Sequence, residues 1–259
     1  MGASPHWRVP LCEVQPAVIP DSPSATLAAS CGLAALVYRE SVSSTMDMAH
    51  ELAQQGAVAG TAVLASRQDQ GRGRSGRAWQ SEADAGLWLT LIERPDDQRA
   101  LEVLSLRVGL ALAEALSLLV DGEIQVKWPN DLYVGNGKLS GILIEVRWRD
   151  GRPEWVAIGV GINRRVPPEY RQAAHVRTDV SRDALLRAVV PAIRRAAAGR
   201  GPLSEEECAA WAARDLARGR VVSAPIEGHV EGISPTGAVL IRDENGTLHA
   251  QHSGSLVFR

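Results

Sequence analysis

The chain has 259 residues, 45% of them hydrophobic and 22% charged, with a formal net charge of −2 at pH 7. That length suits one large domain or a domain with a small companion, and the near-neutral balance excludes a bulk basic field for nucleic acid or an anionic membrane. No apolar run approaches the roughly 18 residues of a membrane-spanning helix. Cys12, Cys31 and Cys208 are too widely spaced for a disulfide framework or a zinc site, and read as free thiols of a reducing cytoplasm. Leu27-Ala-Ala-Ser-Cys31 imitates a lipoprotein cleavage site but lacks the basic, then strongly apolar lead-in.

Residues 1–35 carry Pro5, Pro10, Pro16, Pro20 and Pro23 without a sustained period, which predicts an extended or partly ordered leader. Residues 36–40 predict the first strand. Ser44 or Thr45 caps a helix that has Asp47 in its first turn, runs through Ala49, Leu52 and Ala53, and stops at Gly56. Residues 61–66 and 86–92 predict strands. Leu101, Leu104, Val108, Leu112 and Leu116 recur at helical spacing and predict one long core helix over residues 99–120. A short strand at 123–127 empties into a turn, Trp128-Pro-Asn-Asp131. Asn136-Gly137 signals a hairpin turn, and residues 138–148 and 154–162 predict paired strands around Arg149-Asp150-Gly151. Helical patterns follow at 182–195, kinked or broken near Pro191, and at 205–217, opened by a Ser204/Glu207 capping box. From Gly219 the texture is all short strand and turn. It predicts a small antiparallel barrel over residues 219–259, with a boundary near Arg218.

Between the second and third strands lies Gly71-Arg-Gly-Arg-Ser-Gly-Arg-Ala-Trp79, with three glycines and three arginines in nine residues. Glycine lets backbone N–H groups approach an anion, and arginine supplies fixed forks of donors. Gly71, Gly73 and Gly76 match the dinucleotide fingerprint literally, but the context fails. Arginines fill the spacer positions, and no helix of adequate length separates the loop from Glu93, the acid at the right distance. A flexible basic surface loop is the bland alternative.

Two later stretches argue against it: Lys127-Trp-Pro-Asn-Asp131 and Lys138-Leu-Ser-Gly-Ile-Leu-Ile-Glu145. Lys138 stands at the start of an apolar strand, where its stem packs and its ammonium reaches out. Gly141 within that strand, and Gly159 and Gly161 within the next, imply a slot between apolar walls with cations at one end.

Ser44-Thr45, residues 71–79, the two lysine stretches and residues 159–163, in this order, strongly resemble the biotin–protein ligases from about residue 38 to the end. The resemblance implies an α+β fold: a mixed β-sheet with helices on one face, of the class II aminoacyl-tRNA synthetase/biotin ligase type, plus a C-terminal SH3-like β-barrel. Residues 1–35 would be the leader, 36–218 the catalytic domain and 219–259 the barrel. It implies two half-reactions. Biotin and ATP, with Mg2+, form biotinyl-5′-AMP and pyrophosphate; a lysine of a biotin carboxyl carrier domain, by default that of acetyl-CoA carboxylase, then takes the biotin and releases AMP. It implies Lys138, Arg74 and Lys127 as the catalytic cations. Ser44, Thr45, Met46, Gln68, Gly71, Arg72, Gly73, Arg74, Lys138, Gly141 and Gly159 match biotin-binding positions. Arg72, Arg74, Arg77, Trp79, Lys138 and Asn163 match ATP or adenylate positions, with Trp79 against adenine and Asn163 near its edge. Asn130 and Asp131 position metal or shape the turn.

Met46 stands where Asn or Gln is usual after Ser-Thr, and Ser75 replaces a basic residue seen in some members. The proline-rich leader takes the place of a DNA-binding winged helix, so no DNA partner is expected; neither is a membrane. A cytoplasmic enzyme is expected, with a homodimer through an exposed sheet edge as one arrangement. The glycine-rich loop is expected to act as a mobile lid. The alternatives are a lipoate or octanoyl ligase of the same fold and a non-catalytic biotin-adenylate sensor.

Overall fold

The computed structural model describes residues 23–166 and 172–259. Cys12 and the first 22 residues of the predicted leader lie outside the described residues. Within the rest of that stretch, residues 23–35, part is ordered as helix. Pro23–Ser30 forms a helix, α1, with proline at its first position, where an amide donor would have no partner. Ala28 and Cys31 are buried in the main core, so the prolines ahead of the helix masked a short apolar element. Cys31 and Cys208 are free thiols, and burial pushes the Cys31 thiol up from its ordinary value.

The chain continues through β1 (Ala35–Val42), α2 (Thr45–Gln54), β2 (Thr61–Gln68), β3 (Gly86–Glu93), α3 (Gln98–Glu102), α4 (Leu104–Ala115), β4 (Ile124–Lys127), β5 (Asp131–Val134), β6 (Gly137–Arg149), β7 (Arg152–Asn163), α5 (Arg182–Ala197) and α6 (Glu205–Arg214). It ends with β8 (Val221–Ala224), β9 (Gly228–Ile233), β10 (Val239–Arg242), β11 (Leu248–Gln251) and β12 (Val257–Phe258). The first seven strands form one mixed sheet in the order β1-β2-β3-β7-β6-β5-β4. Only the β1–β2 pair is parallel. The last five form an antiparallel sheet in the order β11-β10-β9-β8-β12. No helix among the described residues is long and apolar enough to cross a membrane.

The two-residue period of the strands gives the large sheet two different faces. Leu87, Leu89 and Leu91 of β3 and Val156, Ile158, Val160 and Ile162 of β7 point into the main core with α4 and α5. On the other face, Val63, Ile92 and Trp155 pack against Ala49 and Ala53 of α2. The C-terminal sheet shares the main core: Val222, Val230, Val239, Ile241 and Leu256 are buried in it. Trp128 Nε1 also donates to Gly237 O at 3.0 Å, which ties the Lys127–Asp131 turn to that sheet.

Three local expectations change. The pattern over residues 99–120 is two helices, because Val103 (φ −109°, ψ 3°) ends α3 and its carbonyl receives the amides of Leu106 and Arg107 that open α4. Its leucine spacing survives because Leu104, Val108, Leu112 and Leu116 are all buried. The β5–β6 turn is Gly135-Asn136, one residue earlier than the Asn-Gly signal, with Gly135 at φ +56° and Val134 paired to Gly137. Gly137 answers instead to packing: a Cβ there would come within 2.8 Å of the backbone at Ala173 and Ala174. Finally, Pro191 sits inside α5 without dividing it.

Glu207 serves two elements. It completes the capping box of α6 with Ser204, and it forms an ion pair with Arg107 of α4, which is only 6% exposed. The bond from Arg107 holds the Glu207 carboxyl below the usual range. A depressed carboxylate adds stability above its unfolded pKa, near 4.3, and loses it as pH falls through the folded value. Glu207→Gln should therefore cost about 2 kcal/mol at pH 7, the order of one hydrogen bond to a charged group, because Arg107 loses its carboxylate partner. Urea titrations should show the gap between wild type and variant shrinking below about pH 4; a pH-independent gap would count against the ion pair.

Candidate active site

The site is built on the α2 face of the sheet. Across the β6–β7 ladder Gly141 pairs with Gly161 and Leu143 with Gly159. A Cβ at Gly161 would stand 2.6 Å from Trp79 Nε1, one at Gly141 2.8 Å from Trp79 Cζ3, and one at Gly159 2.7 Å from Met46 Cε. A Cβ at any of the three would require what lies on the floor to shift: the Trp79 indole over Gly141 and Gly161, and the flexible end of Met46 over Gly159. In this structure the Trp79 indole lies on the floor, edge-on to Trp88 with centroids 6.4 Å apart. Its Nε1 is buried and makes no hydrogen bond among the described residues.

One end of the slot is a hydroxyl and amide cluster at the start of α2. Ser44 caps the helix by accepting from Met46 N at 3.2 Å. Thr45 donates to Gln68 Oε1 through both its amide (2.8 Å) and its hydroxyl (2.9 Å). Thr90 Oγ1 donates to Thr45 Oγ1 at 2.9 Å, and Gln68 Nε2 donates to Ser81 Oγ at 2.8 Å. Ser44, Thr45, Met46, Ser81 and Thr90 are buried, so these polar groups sit in a setting where each must be satisfied. Thr90 and Ser81 were absent from the sequence-based site. Thr90 had a legible signal: it is the one hydroxyl of an apolar strand, on the face away from the core leucines.

The opposite end is basic. The loop over residues 71–79 folds back as a small hairpin: Arg72 bridges Ala78, Gly73 N donates to Arg77 O at 2.7 Å, and Trp79 N donates to Gly71 O at 2.8 Å. Its tip is a 3-10 turn, Arg74–Gly76, with Ser75 at φ +56° and Gly76 at φ +72°. The loop expected to act as a mobile lid reaches over the slot with its own tryptophan as the plug, while residues 75–78 stay exposed. Gly71 is required by close approach, since a Cβ there would lie 2.3 Å from Trp79 O.

Arg74 lines the slot, and its Nη1 lies 3.4 Å from Asn130 Oδ1, a long contact with a neutral partner. Burial pulls its guanidinium below the ordinary value, with Arg77 adding to the shift and Asp131 opposing it. Lys138 Nζ lies 2.8 Å from Asp131 Oδ1 and 4.9 Å from the Trp79 ring centroid. Arg72, Gly73 and Arg77 also line the slot, with Ser255 contributed from beyond the second sheet's β11.

Three predicted positions fall elsewhere. Gly71 lines a neighbouring depression. Asn163 clamps backbone, donating to Lys138 O at 3.0 Å and Ala174 O at 3.1 Å. Lys127 lies away from the slot, its Nζ 4.9 Å from the Phe258 ring and 5.7 Å from that of Tyr133. Burial holds the Lys127 ammonium below its usual range; Lys138, Arg77 and Arg220 push the same way and Asp131 opposes them. Asn130 braces the turn, donating from Nδ2 to Ile142 O at 2.7 Å. No group of three metal-ligating side chains occurs among the described residues, and Asp131, already paired to Lys138, is a single carboxylate. These donors do not make a resident metal site.

A model of the biotin/lipoate A/B protein ligase family matches residues 38–163. The chain is 32% identical over 210 residues to the biotin--[acetyl-CoA-carboxylase] ligase of Paracoccus denitrificans, covering 71% of this chain and 85% of that protein. It is 39% identical over 129 residues to the bifunctional ligase/repressor BirA of Bacillus spizizenii, and there the match spans 49% of this chain but only 40% of the relative. Among solved structures, a biotin protein ligase from Aquifex aeolicus in complex with biotin and ATP superposes with a TM-score of 0.71 at 28% identity, covering 86% of this chain and 98% of that one.

Displacing the plug is a direct check on the slot. Gly161→Ala puts a methyl where the indole lies, so it should drive Trp79 toward solvent and shift its emission to the red. The same substitution in a Trp79→Phe background should leave the spectrum unchanged; a shift there would place the perturbation in another tryptophan.

Proposed function

The chain belongs to the biotin/lipoate A/B protein ligase family, and on that premise we propose that it is an ATP-dependent biotin–protein ligase of the cytoplasm. The observation that carries this reading is the polarity of the slot. A floor stripped of Cβ atoms joins a neutral hydroxyl and amide cluster at one end to Arg74, Arg77 and Lys138 at the other. A flat ureido ring with an apolar chain and a terminal carboxylate has that order of chemistry.

In this reading Ser44, Thr45 and Gln68 hydrogen-bond the ureido group, while Gly141, Gly159 and Gly161 admit the ring and chain. The carboxylate then lies under the Arg72–Gly73–Arg74 segment. ATP enters as its magnesium complex, the ion carried by the phosphates as part of the substrate. When the ligand fills the slot, Trp79 leaves the floor and packs against adenine.

In the first half-reaction, a biotin carboxylate oxygen attacks the α-phosphorus. The bond from that phosphorus to its β-bridging oxygen breaks, and pyrophosphate leaves with the electron pair. Two anions approach, so the barrier falls where fixed positive charge meets the equatorial oxygens. Arg74 and Lys138 supply that charge, and Lys127, behind Asp131, adds to the field. In the second half-reaction, the carrier lysine amine attacks the acyl carbon of the mixed anhydride. AMP leaves, the amine gives up a proton, and the amide forms. The biotin carboxyl carrier domain of acetyl-CoA carboxylase is the acceptor this reading names.

The test is to mix the protein with biotin, Mg-ATP and a carrier domain and to follow biotinyl-AMP and biotinyl-lysine by mass spectrometry, with lipoate in a parallel arm. Biotin should be transferred and lipoate should not; the reverse would assign the chain to the lipoate branch, and adenylate without transfer would make it a sensor. Lys138→Ala should lower adenylate formation by about a hundredfold or more, the usual effect of removing one charge-assisted contact from a transition state. Arg74→Ala should speed loss of the adenylate from the enzyme more than it weakens biotin binding, and stopped-flow release measurements would show equal effects if Arg74 is misplaced.

A further inference from the structure

Arg72 and Arg74 belong to the same loop and both line the slot, but their charges are committed differently. Arg72 Nη2 lies 2.7 Å from Asp47 Oδ1 and 3.2 Å from Glu145 Oε2. Asp47 is in the first turn of α2 and Glu145 is on β6, so this guanidinium joins the loop to both walls of the slot. One positive charge between two negative ones offers no net attraction to a third anion. Arg74 faces the neutral Asn130 side chain, and the nearby carboxylate of Asp131 is already paired to Lys138.

Glu145 is itself held in place. His50 Nε2 lies 2.9 Å from the same Glu145 Oε2 that meets Arg72. Trp155 Nε1 lies 2.9 Å from His50 Nδ1, and an indole N–H can only donate. The partners therefore settle the tautomer: Nδ1 accepts, and Nε2 carries the proton it donates to Glu145. Trp155 is 4% exposed and packs with Ala49, Ala53 and Ile92, so the relay starts on rigid ground. It runs from buried Trp155 on β7 through His50 on α2 and Glu145 on β6 to Arg72 in the loop.

We infer that Asp47, His50 and Glu145 are positioning residues that tether the glycine-rich loop through Arg72, leaving Arg74 as the cation of the pair that acts on the ligand's anion. The inference rests on the proposed ligase reading, and it assigns Arg72's side chain to anchoring and not to charge stabilisation. The ion pairs are part-exposed and weak one by one, so cutting them should free the loop without unfolding the protein.

The test uses the full chain with Glu145→Gln, Arg72→Gln, the double variant, His50→Leu and His50→Gln, which keeps a side-chain N–H donor. Two readouts are needed: the rate of tryptic cleavage after Arg74 and Arg77 in ligand-free protein, and kcat and biotin KM for adenylate formation. Glu145→Gln and Arg72→Gln should each raise biotin KM by about tenfold and hold kcat within about twofold, and the double variant should be no worse than either, the signature of residues acting as one unit. Cleavage should quicken in parallel, with melting temperature unchanged. His50→Gln should restore most of what His50→Leu loses. A kcat loss of about a hundredfold confined to Arg72→Gln would overturn the inference by making Arg72 a transition-state contact; so would additive effects, or cleavage rates equal to wild type. If the wild-type protein forms no adenylate, the ligase reading fails by itself, and the cleavage rates still decide whether the tether exists.

Discussion

A strand residue without a Cβ removes the obstacle to close approach, and the α2 face of the large sheet depends on three such residues in neighbouring strands. Gly141 and Gly161 stand opposite each other in the ladder, with Gly159 one pleat away. The indole above them lies closer to the backbone than any side chain would permit. Everything else at the site is placed relative to that floor. The strand period puts the core leucines and valines on the far side, so the floor is rigid without being filled. The capped start of α2 closes one end, and Lys138 on β6 joins the loop arginines at the other.

The cations are graded by their partners. Lys138 is balanced by Asp131, and Arg72 is more than balanced by Asp47 and Glu145. Arg74 meets the side-chain carbonyl of Asn130 at 3.4 Å, with the Asp131 carboxylate nearby but paired to Lys138. Lys127 is desolvated between two aromatic rings. The loop's three arginines look equivalent as residue types, but a guanidinium already shared between carboxylates and one left with a neutral amide present different fields to an incoming anion.

Much of this was legible in the residues. Strand positions followed from apolar runs, and the α2 start from Ser44. The slot followed from glycines placed where a strand has no need of them. What stayed hidden depended on contacts between distant segments. Nothing near Val103 announces a helix break, because the leucine spacing continues across it. Gly137 looked like half of a turn dipeptide and instead answers to the backbone of Ala173 and Ala174. Asn163 also bonds through Nδ2 to the backbone at Lys138 and Ala174, residues far apart in the chain. The Arg72 tether joins residues 47, 50, 72, 145 and 155, and no local pattern encodes a set so scattered.

The bond from Trp128 to Gly237 bears on how this protein could be recombined with its relatives. The turn that carries Lys127, Asn130 and Asp131 hangs from a carbonyl of the β9–β10 turn of the C-terminal sheet, and that sheet's Val222, Val239 and Ile241 share one interior with the larger sheet. A crossover placed at the composition change near residue 218 would cut through this interior. Grafted C-terminal strands would have to bring a matching seat for the Trp128 indole, or the cation-bearing turn would lose its support. For domain shuffling, the unit of exchange is the whole of the two sheets together.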